Sequence, residues 1–168
     1  MTAKLGSWIL AILMTAAAPA AQAACDLGAG ADATAAARAA QIGASLPLTY
    51  VGTFQWDGSP GVQHVTMSFS GCEVGGAVRL VGRGTYLDSG TNIDVIADVK
   101  GEAIVVVERN PRDGTGGFIT AGRHRGDIAP DLSRICAVWV TDADGSTGRL
   151  RLGLTAADAE GCGAPFTS

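Results

Sequence analysis

The chain has little of what most enzymes depend on. Only two of its 168 residues are histidine, and neither His64 nor His124 has a histidine or cysteine partner at the spacing of a metal site. The nucleophile motif G-x-S-x-G and the phosphate-binding motif G-x-x-x-x-G-K-[ST] do not occur. We therefore predict no metal, no cofactor and no catalytic nucleophile.

Positive charge and long apolar runs are also scarce. The chain has 12 basic and 16 acidic residues, a net charge of −4, and without Lys4 the net charge is −5. An acidic chain is a poor partner for nucleic acid or an anionic membrane surface. Beyond the N-terminus no apolar stretch approaches the roughly 20 residues that a spanning helix needs. We predict neither a nucleic-acid partner nor a membrane span.

The N-terminus is typical of an export signal. Lys4 is followed by the apolar run 8–14 and by Ala21-Gln22-Ala23, an A-x-A cleavage pattern. We predict that residues 1–23 are a secretory signal peptide. The mature protein would then be periplasmic or secreted.

Four cysteines follow this signal, and an oxidising compartment favours two disulfides. Three pairings are possible. We favour Cys25–Cys162 with Cys72–Cys136, because this pairing ties one terminus to the other. Lipidation of Cys25 is the alternative, although Gln22 occupies a position that is usually apolar in lipoprotein signals.

Residues 24–47 predict a loop and one short helix, with Asp32 as the N-cap and Gly43 as the C-terminal stop. Residues 48–168 predict a β domain with a C-terminal tail. Eight short β-rich runs occur between Gly/Asp/Ser clusters: 48–56, 63–70, 77–87, 92–100, 103–110, 117–125, 134–141 and 148–155. Apolar residues alternate within several of them: Val65, Met67 and Phe69; Ile93, Val95, Ala97 and Val99; Leu150, Leu152 and Leu154.

Alternation and short connections favour antiparallel neighbours. The most economical arrangement is an all-β, eight-stranded antiparallel up-and-down barrel with one short N-terminal helix, since closure removes the exposed edges. A two-sheet sandwich is the alternative. In such a barrel the loops 57–61, 88–91, 111–117 and 142–147 share one acidic, glycine-rich end, the mouth. The helix and all four cysteines lie at the other end.

The opening "YVGTFQW" (50–56) and the closing "RICAVWVTDADGSTGRLRLG" (134–153) resemble small secreted lipocalin- and avidin-like barrels in the rhythm of their strands. The resemblance spans residues 48–155 and implies the architecture. The biotin-contacting pattern of avidins and the Gly-x-Trp opening of lipocalins are not clearly present, so it implies no functional residue.

An eight-stranded barrel is either filled by side chains or holds one small ligand. The interior candidates are aromatic or apolar: Tyr50, Phe54, Trp56, Met67, Phe69, Tyr86 and Trp139. Inward glycines at 52, 82, 84 and 122 either leave room beside these rings or relieve strand curvature. We predict a ligand site at the mouth formed by Phe54, Trp56, Tyr86, Glu108 and Trp139. Sequence alone leaves open whether Glu108 or Arg109 faces the interior.

Three short motifs have competing interpretations. Asp88-Ser89-Gly90 resembles the active-site turn of aspartic proteases, but Asn92 departs from the pattern and the triplet also suits a hairpin turn. Arg125-Gly126-Asp127 matches an adhesion tripeptide, but we predict it at a strand end and regard it as accidental. Asp142-Ala143-Asp144-Gly145 resembles the start of a calcium loop, although its glycine comes too early.

These features support three function classes. The first is an exported, non-catalytic module that binds a small apolar or amphiphilic ligand, neutral or cationic, or a protein partner at its mouth. The second is a secreted or periplasmic protease inhibitor with a free N-terminal arm. The third is an acid–base enzyme that uses Asp88 or Glu108.

Overall fold

A computed structural model describes residues 25–27, 31–114, 117–141 and 145–163. The predicted signal peptide lies outside these residues, as does most of the calcium-like motif. The elements, in chain order, are β1 (Asp26–Leu27), α1 (Ala33–Ser45), β2 (Leu48–Trp56), β3 (Val62–Val74), β4 (Val78–Tyr86), β5 (Thr91–Lys100), β6 (Ala103–Arg112), β7 (Gly122–Ile128), β8 (Arg134–Thr141), β9 (Thr147–Gly153) and α2 (Ala156–Glu160).

Strands β2 to β9 form a closed antiparallel up-and-down barrel, as predicted. Each strand pairs with its neighbour in sequence. The seam is the pairing of β2 with β9, in which Val51–Trp56 lie opposite Gly148–Gly153. The sandwich alternative is therefore wrong, because a sandwich would leave the first and last strands unpaired.

The barrel interior is apolar, and alternation along the strands places it there. Val65, Met67 and Phe69 are each no more than 1% exposed, as are the four predicted residues of β5, Ile93 to Val99. Leu154 is an exception at 40% exposure, because β9 ends at Gly153. The part of the barrel away from the mouth is filled by side chains.

Two glycines in the wall permit close approach between strands. A Cβ on Gly52 would lie 1.8 Å from the Arg151 carbonyl oxygen, and one on Gly82 would lie 2.0 Å from that of Ser68. Both clashes are with backbone, so these glycines serve strand curvature. A Cβ on Gly122 would also clash with backbone, at the Val140 carbonyl oxygen, and would lie 2.7 Å from Cζ2 of Trp139, so this glycine accommodates both a neighbouring strand and a ring.

Helix α1 closes the end of the barrel opposite the mouth. Asp32 caps it as predicted, accepting a hydrogen bond from the Ala35 amide at 2.7 Å. Gly43 does not end the helix, which continues to Ser45. The stop comes from Pro47, because a residue before proline disfavours the helical conformation and Leu46 is extended. Ile42 is fully buried against the barrel core.

The disulfides join Cys25 to Cys72 and Cys136 to Cys162. All four cysteines pair and lie near the helix end, as predicted, but the favoured connectivity is wrong. Strand β3 runs on to Val74, so Cys72 lies within it, beside β1. The Cys25 sulfur lies in this disulfide, which also argues against lipidation.

Two further features differ from the sequence prediction. The sixth predicted run is 117–125, but β7 spans Gly122–Ile128. Arg125-Gly126-Asp127 is therefore paired on both sides, with β6 and β8. Helix α2 was missed, although Thr155 and Asp158 form a capping box that marks its start.

Candidate functional site

A cavity of about 160 Å³ lies just inside the mouth of the barrel. The five predicted ligand-site residues, Phe54, Trp56, Tyr86, Glu108 and Trp139, all line it. Each stands at or near the mouth end of its strand, with its side chain on the inward-facing parity. The structure therefore brings these five residues together around one cavity.

Four rings form a circuit around this cavity. Centroid distances are 4.9 Å from Phe54 to Trp56, 6.4 Å from Trp56 to Trp139, 4.8 Å from Trp139 to His124 and 5.7 Å from His124 back to Phe54. Three of the four contacts are close to perpendicular, an arrangement that aromatic pairs favour. The wall thus combines these packed rings with polar side chains, among them Gln63, Ser89 and Thr91.

A polar cluster is buried among these rings. Glu108 Oε1 accepts a hydrogen bond from the Tyr86 hydroxyl at 2.8 Å and lies 3.0 Å from His124 Nε2. Exposure is 2% for Glu108, 2% for Tyr86 and 0% for His124. Glu108 therefore faces the interior, whereas Arg109 is exposed on the outside, which settles the register left open above.

Burial sets the protonation of Tyr86. Desolvation raises the pKa of its hydroxyl well above 10, and the neighbouring Glu108 carboxyl raises it further. The phenol therefore keeps its proton throughout the physiological range. It acts as a hydrogen-bond donor to Glu108.

His124 is a cavity residue that was not predicted from the sequence, where it was considered only as a metal ligand. It sits directly opposite Trp139 in the pairing of β7 with β8. Gly122 is among the predicted inward residues, and a residue two positions later on the same strand faces the same side. This alternation indicates that His124 also faces the interior.

Two buried nitrogens of residues beside the cavity have no protein partner in the described part of the chain: His124 Nδ1 and Trp139 Nε1. Both rings line the cavity. An unpaired buried polar atom is costly, by about 1–3 kcal/mol, so it usually marks a ligand or water site.

The loop between β6 and β7 covers part of the cavity. Its Gly117, Phe118 and Ile119 contribute to the lining, and the ring of Phe118 packs 4.9 Å from that of Tyr86. Ile119 remains 46% exposed. The apolar run that looked like the start of a strand is thus a partial lid over the mouth.

Asp88 does not join this site. It lies in an exposed turn, where its carboxylate accepts hydrogen bonds from the His64 amide and lies 3.2 Å from His64 Nδ1. The amide hydrogen bond is the main cause of its lowered pKa. Glu108 is therefore the one candidate carboxylate that lines the cavity.

A larger groove of about 680 Å³ runs along the outer wall beside α2 and includes Arg134, Arg149 and Arg151. None of its lining side chains has a buried polar atom without a partner among the described residues.

The described residues contain no group of three side chains that could hold a metal ion. None of their helices is long and apolar enough to cross a membrane.

No protein-family model, no curated protein and no solved structure matches the chain. The function must therefore be argued from the site itself.

Proposed function

We propose that this protein is a non-catalytic binding module that holds one small, partly apolar guest in the cavity at its mouth. The observation that carries the proposal is the aromatic circuit of Phe54, Trp56, Trp139 and His124 around a cavity of about 160 Å³. A cavity of about 150 Å³ is large enough for a benzene-sized molecule. The two disulfides are consistent with an exported protein.

The guest is expected to be small because the core below the cavity is filled. Phe69, Met67 and Leu80 are fully buried in the barrel interior. A long acyl chain has no room beneath Phe54 and Tyr86. The guest therefore places one ring or a short apolar segment inside, and any larger part extends through the mouth.

The rim carries opposite charges that largely pair with each other. Asp57 lies 3.3 Å from Arg149, and Asp94 binds Arg112 at 2.9 Å. The rim therefore favours a neutral head group at least as much as a cationic one. This narrows the earlier expectation of a neutral or cationic amphiphile.

Ethylbenzene is a suitable first probe because it is apolar and close to the cavity in size. We expect its addition to the isotope-labelled protein to shift the indole NMR signals of Trp56 and Trp139 in a saturable way. Gln63→Phe, which narrows the lined space, should weaken binding about tenfold. Val62→Phe, on the 45%-exposed outer side of the same strand, is the matched control.

The proposal would be rejected if neither ethylbenzene nor acetophenone gave a saturable shift at the cavity residues and native mass spectrometry of the protein from its own host found no guest. A mass increase that is lost in Gln63→Phe and kept in Val62→Phe supports the cavity as the binding site.

The buried pair of Glu108 and His124 favours acid–base catalysis as the second candidate function. A carboxylate beside a histidine can orient it for proton transfer. This candidate requires turnover, which binding does not. Glu108→Gln that abolishes turnover of a bound compound while retaining its binding would establish it.

The inhibitor hypothesis receives less support. The described part of the N-terminal segment is anchored, because Cys25 is bonded to Cys72 and α1 packs on the barrel. Arg38 also holds α1 to the loop after β7, donating to the Pro130 carbonyl oxygen at 2.8 Å. An inhibitory arm would need to be free of such contacts.

A further inference from the structure

The protonation of the Glu108–His124 pair determines what chemistry the cavity offers to a guest. The pair is buried, with neither side chain more than 2% exposed, and a net charge there would be costly. A pair with no net charge avoids this cost. It is either a neutral carboxylic acid beside a neutral imidazole or a carboxylate beside an imidazolium.

Both of these neutral states place a proton on His124 Nδ1. Glu108 Oε1 and His124 Nε2 lie 3.0 Å apart and share one proton. If the proton is on Glu108, then Nε2 accepts a hydrogen bond from the carboxylic acid, and the neutral ring carries its own hydrogen on Nδ1. If the proton is on Nε2, the ring is an imidazolium and both nitrogens carry hydrogen. Only a pair with a buried net negative charge would leave Nδ1 as an acceptor.

Trp139 supplies a second donor beside this one. Indole Nε1–H can only donate, and no described protein group accepts from it. The two rings are cross-strand partners with centroids 4.8 Å apart. His124 and Trp139, neighbouring residues of the cavity lining, thus each carry a buried N–H group with no acceptor among the described residues.

We infer that these two N–H groups select a guest with an acceptor oxygen, a small aromatic carbonyl compound whose oxygen lies against His124 and Trp139 while its ring lies in the aromatic circuit. This inference rests on the proposed binding function and specifies its ligand class. A guest with only donor groups, such as a protonated amine, leaves both N–H groups unsatisfied. A carbonyl oxygen has two lone pairs and can accept from both.

The test compares acetophenone with ethylbenzene, which has the same carbon skeleton without the oxygen. Dissociation constants are measured by NMR or calorimetry for the full mature protein and for Trp139→Phe. One neutral hydrogen bond contributes about 0.5–1.5 kcal/mol. We expect Trp139→Phe to weaken acetophenone about threefold to tenfold relative to its effect on ethylbenzene.

Trp56→Phe is the matched control, because Trp56 lines the same cavity and its indole nitrogen is not a buried atom without a partner. It should alter the two affinities by the same factor. Equal losses for both guests in Trp139→Phe would overturn the inference and leave the binding function standing. Failure of both guests to bind would overturn the inference, and the binding function with it if native mass spectrometry also found no guest.

The nitrogen NMR signals of His124 provide a test that needs no ligand. We expect Nδ1 to carry a proton at neutral pH in the unliganded protein. A spectrum showing a bare, acceptor-type Nδ1 would overturn the donor-pair argument, whatever the affinities show. Benzylamine should bind no more tightly than ethylbenzene, and tighter binding of the amine would also count against the inference.

Discussion

Glu108 Oε1 lies 3.0 Å from His124 Nε2 inside the barrel, and the two side chains come from adjacent strands that are both buried at this point. A contact of this kind is asymmetric in its effect on stability. Removing one partner leaves the other polar group buried and unpaired.

Glu108→Ala should therefore lower the free energy of unfolding by about 3–5 kcal/mol, the range seen when a buried pair loses one member. The adjacent Arg109→Ala, on the exposed face of the same strand, should change it by less than about 0.5 kcal/mol. Urea unfolding followed by tryptophan fluorescence measures both. Equal effects would mean that the buried pair does not contribute as argued.

Alkaline pH should destabilise the fold through its only two tyrosines. Burial raises the pKa of both Tyr50 and Tyr86 above 10. Above pH 10 the unfolded chain loses these protons while the folded chain keeps them, so stability falls as pH rises. The slope approaches about 1.4 kcal/mol per pH unit for each tyrosine. Ultraviolet titration of tyrosinate should show ionisation in urea well before it appears in the native protein.

At the acidic limit Asp94 is the most perturbed surface carboxyl. Hydrogen bonds from Arg112 and Asn110 lower its pKa to about 2 from 3.8. A lowered folded-state pKa stabilises the fold above pH 3.8, and that contribution is lost as pH falls towards 2. Arg112→Gln should return the pKa of Asp94 towards its ordinary value in an NMR titration. Arg83→Gln, which removes only a weaker Coulombic contribution to the lowered pKa of Asp94, should produce a smaller shift.

Each disulfide should contribute to stability by an amount that rises with the logarithm of the length of the loop it closes. The separations are 47 residues for Cys25–Cys72 and 26 for Cys136–Cys162. Loop entropy gives about 4 and about 3.5 kcal/mol respectively. Paired Cys→Ser variants, compared by thermal or urea unfolding, test these values. A loss below about 1 kcal/mol in either pair would contradict the entropic account.

Gly52 should be indispensable at the seam. A Cβ there would lie 1.8 Å from the Arg151 carbonyl oxygen, so Gly52→Ala must separate β2 from β9. We expect a loss of more than about 3 kcal/mol, as for other severe packing clashes. Gly61→Ala, where the nearest atom would be 3.5 Å away, is the control and should be close to neutral. Soluble expression and the unfolding midpoint provide the measurement.

The fold was predictable because its signals are local. Period-two alternation and short polar connectors specify antiparallel neighbours, and neighbours in series close into a barrel. The inward parity of Phe54, Tyr86 and Trp139 followed from the same pattern. Element ends were less predictable, since β7 continues through Gly126 only because both neighbouring strands offer partners.

The chemistry of the site was harder to predict because it depends on distances across the interior. Glu108 and His124 are 16 residues apart, and nothing in the sequence between them indicates that they touch. The disulfide pairing failed for the same reason. Which cysteines meet depends on how far β3 extends, and this is set by its pairing with β4 beyond the bulge near Phe69.

The β2–β9 seam has a consequence for how the chain can be rearranged. Eight strands that each pair with two neighbours form a cycle, and a cycle has no intrinsic first strand. The N- and C-terminal segments are bonded to β3 and β8 at the same end of the barrel. A circular permutant that joins these segments and opens at the β5–β6 turn, at exposed Gly101, would preserve every pairing except that one turn. The mouth would then be presented by a chain whose ends are free for fusion at the opposite face.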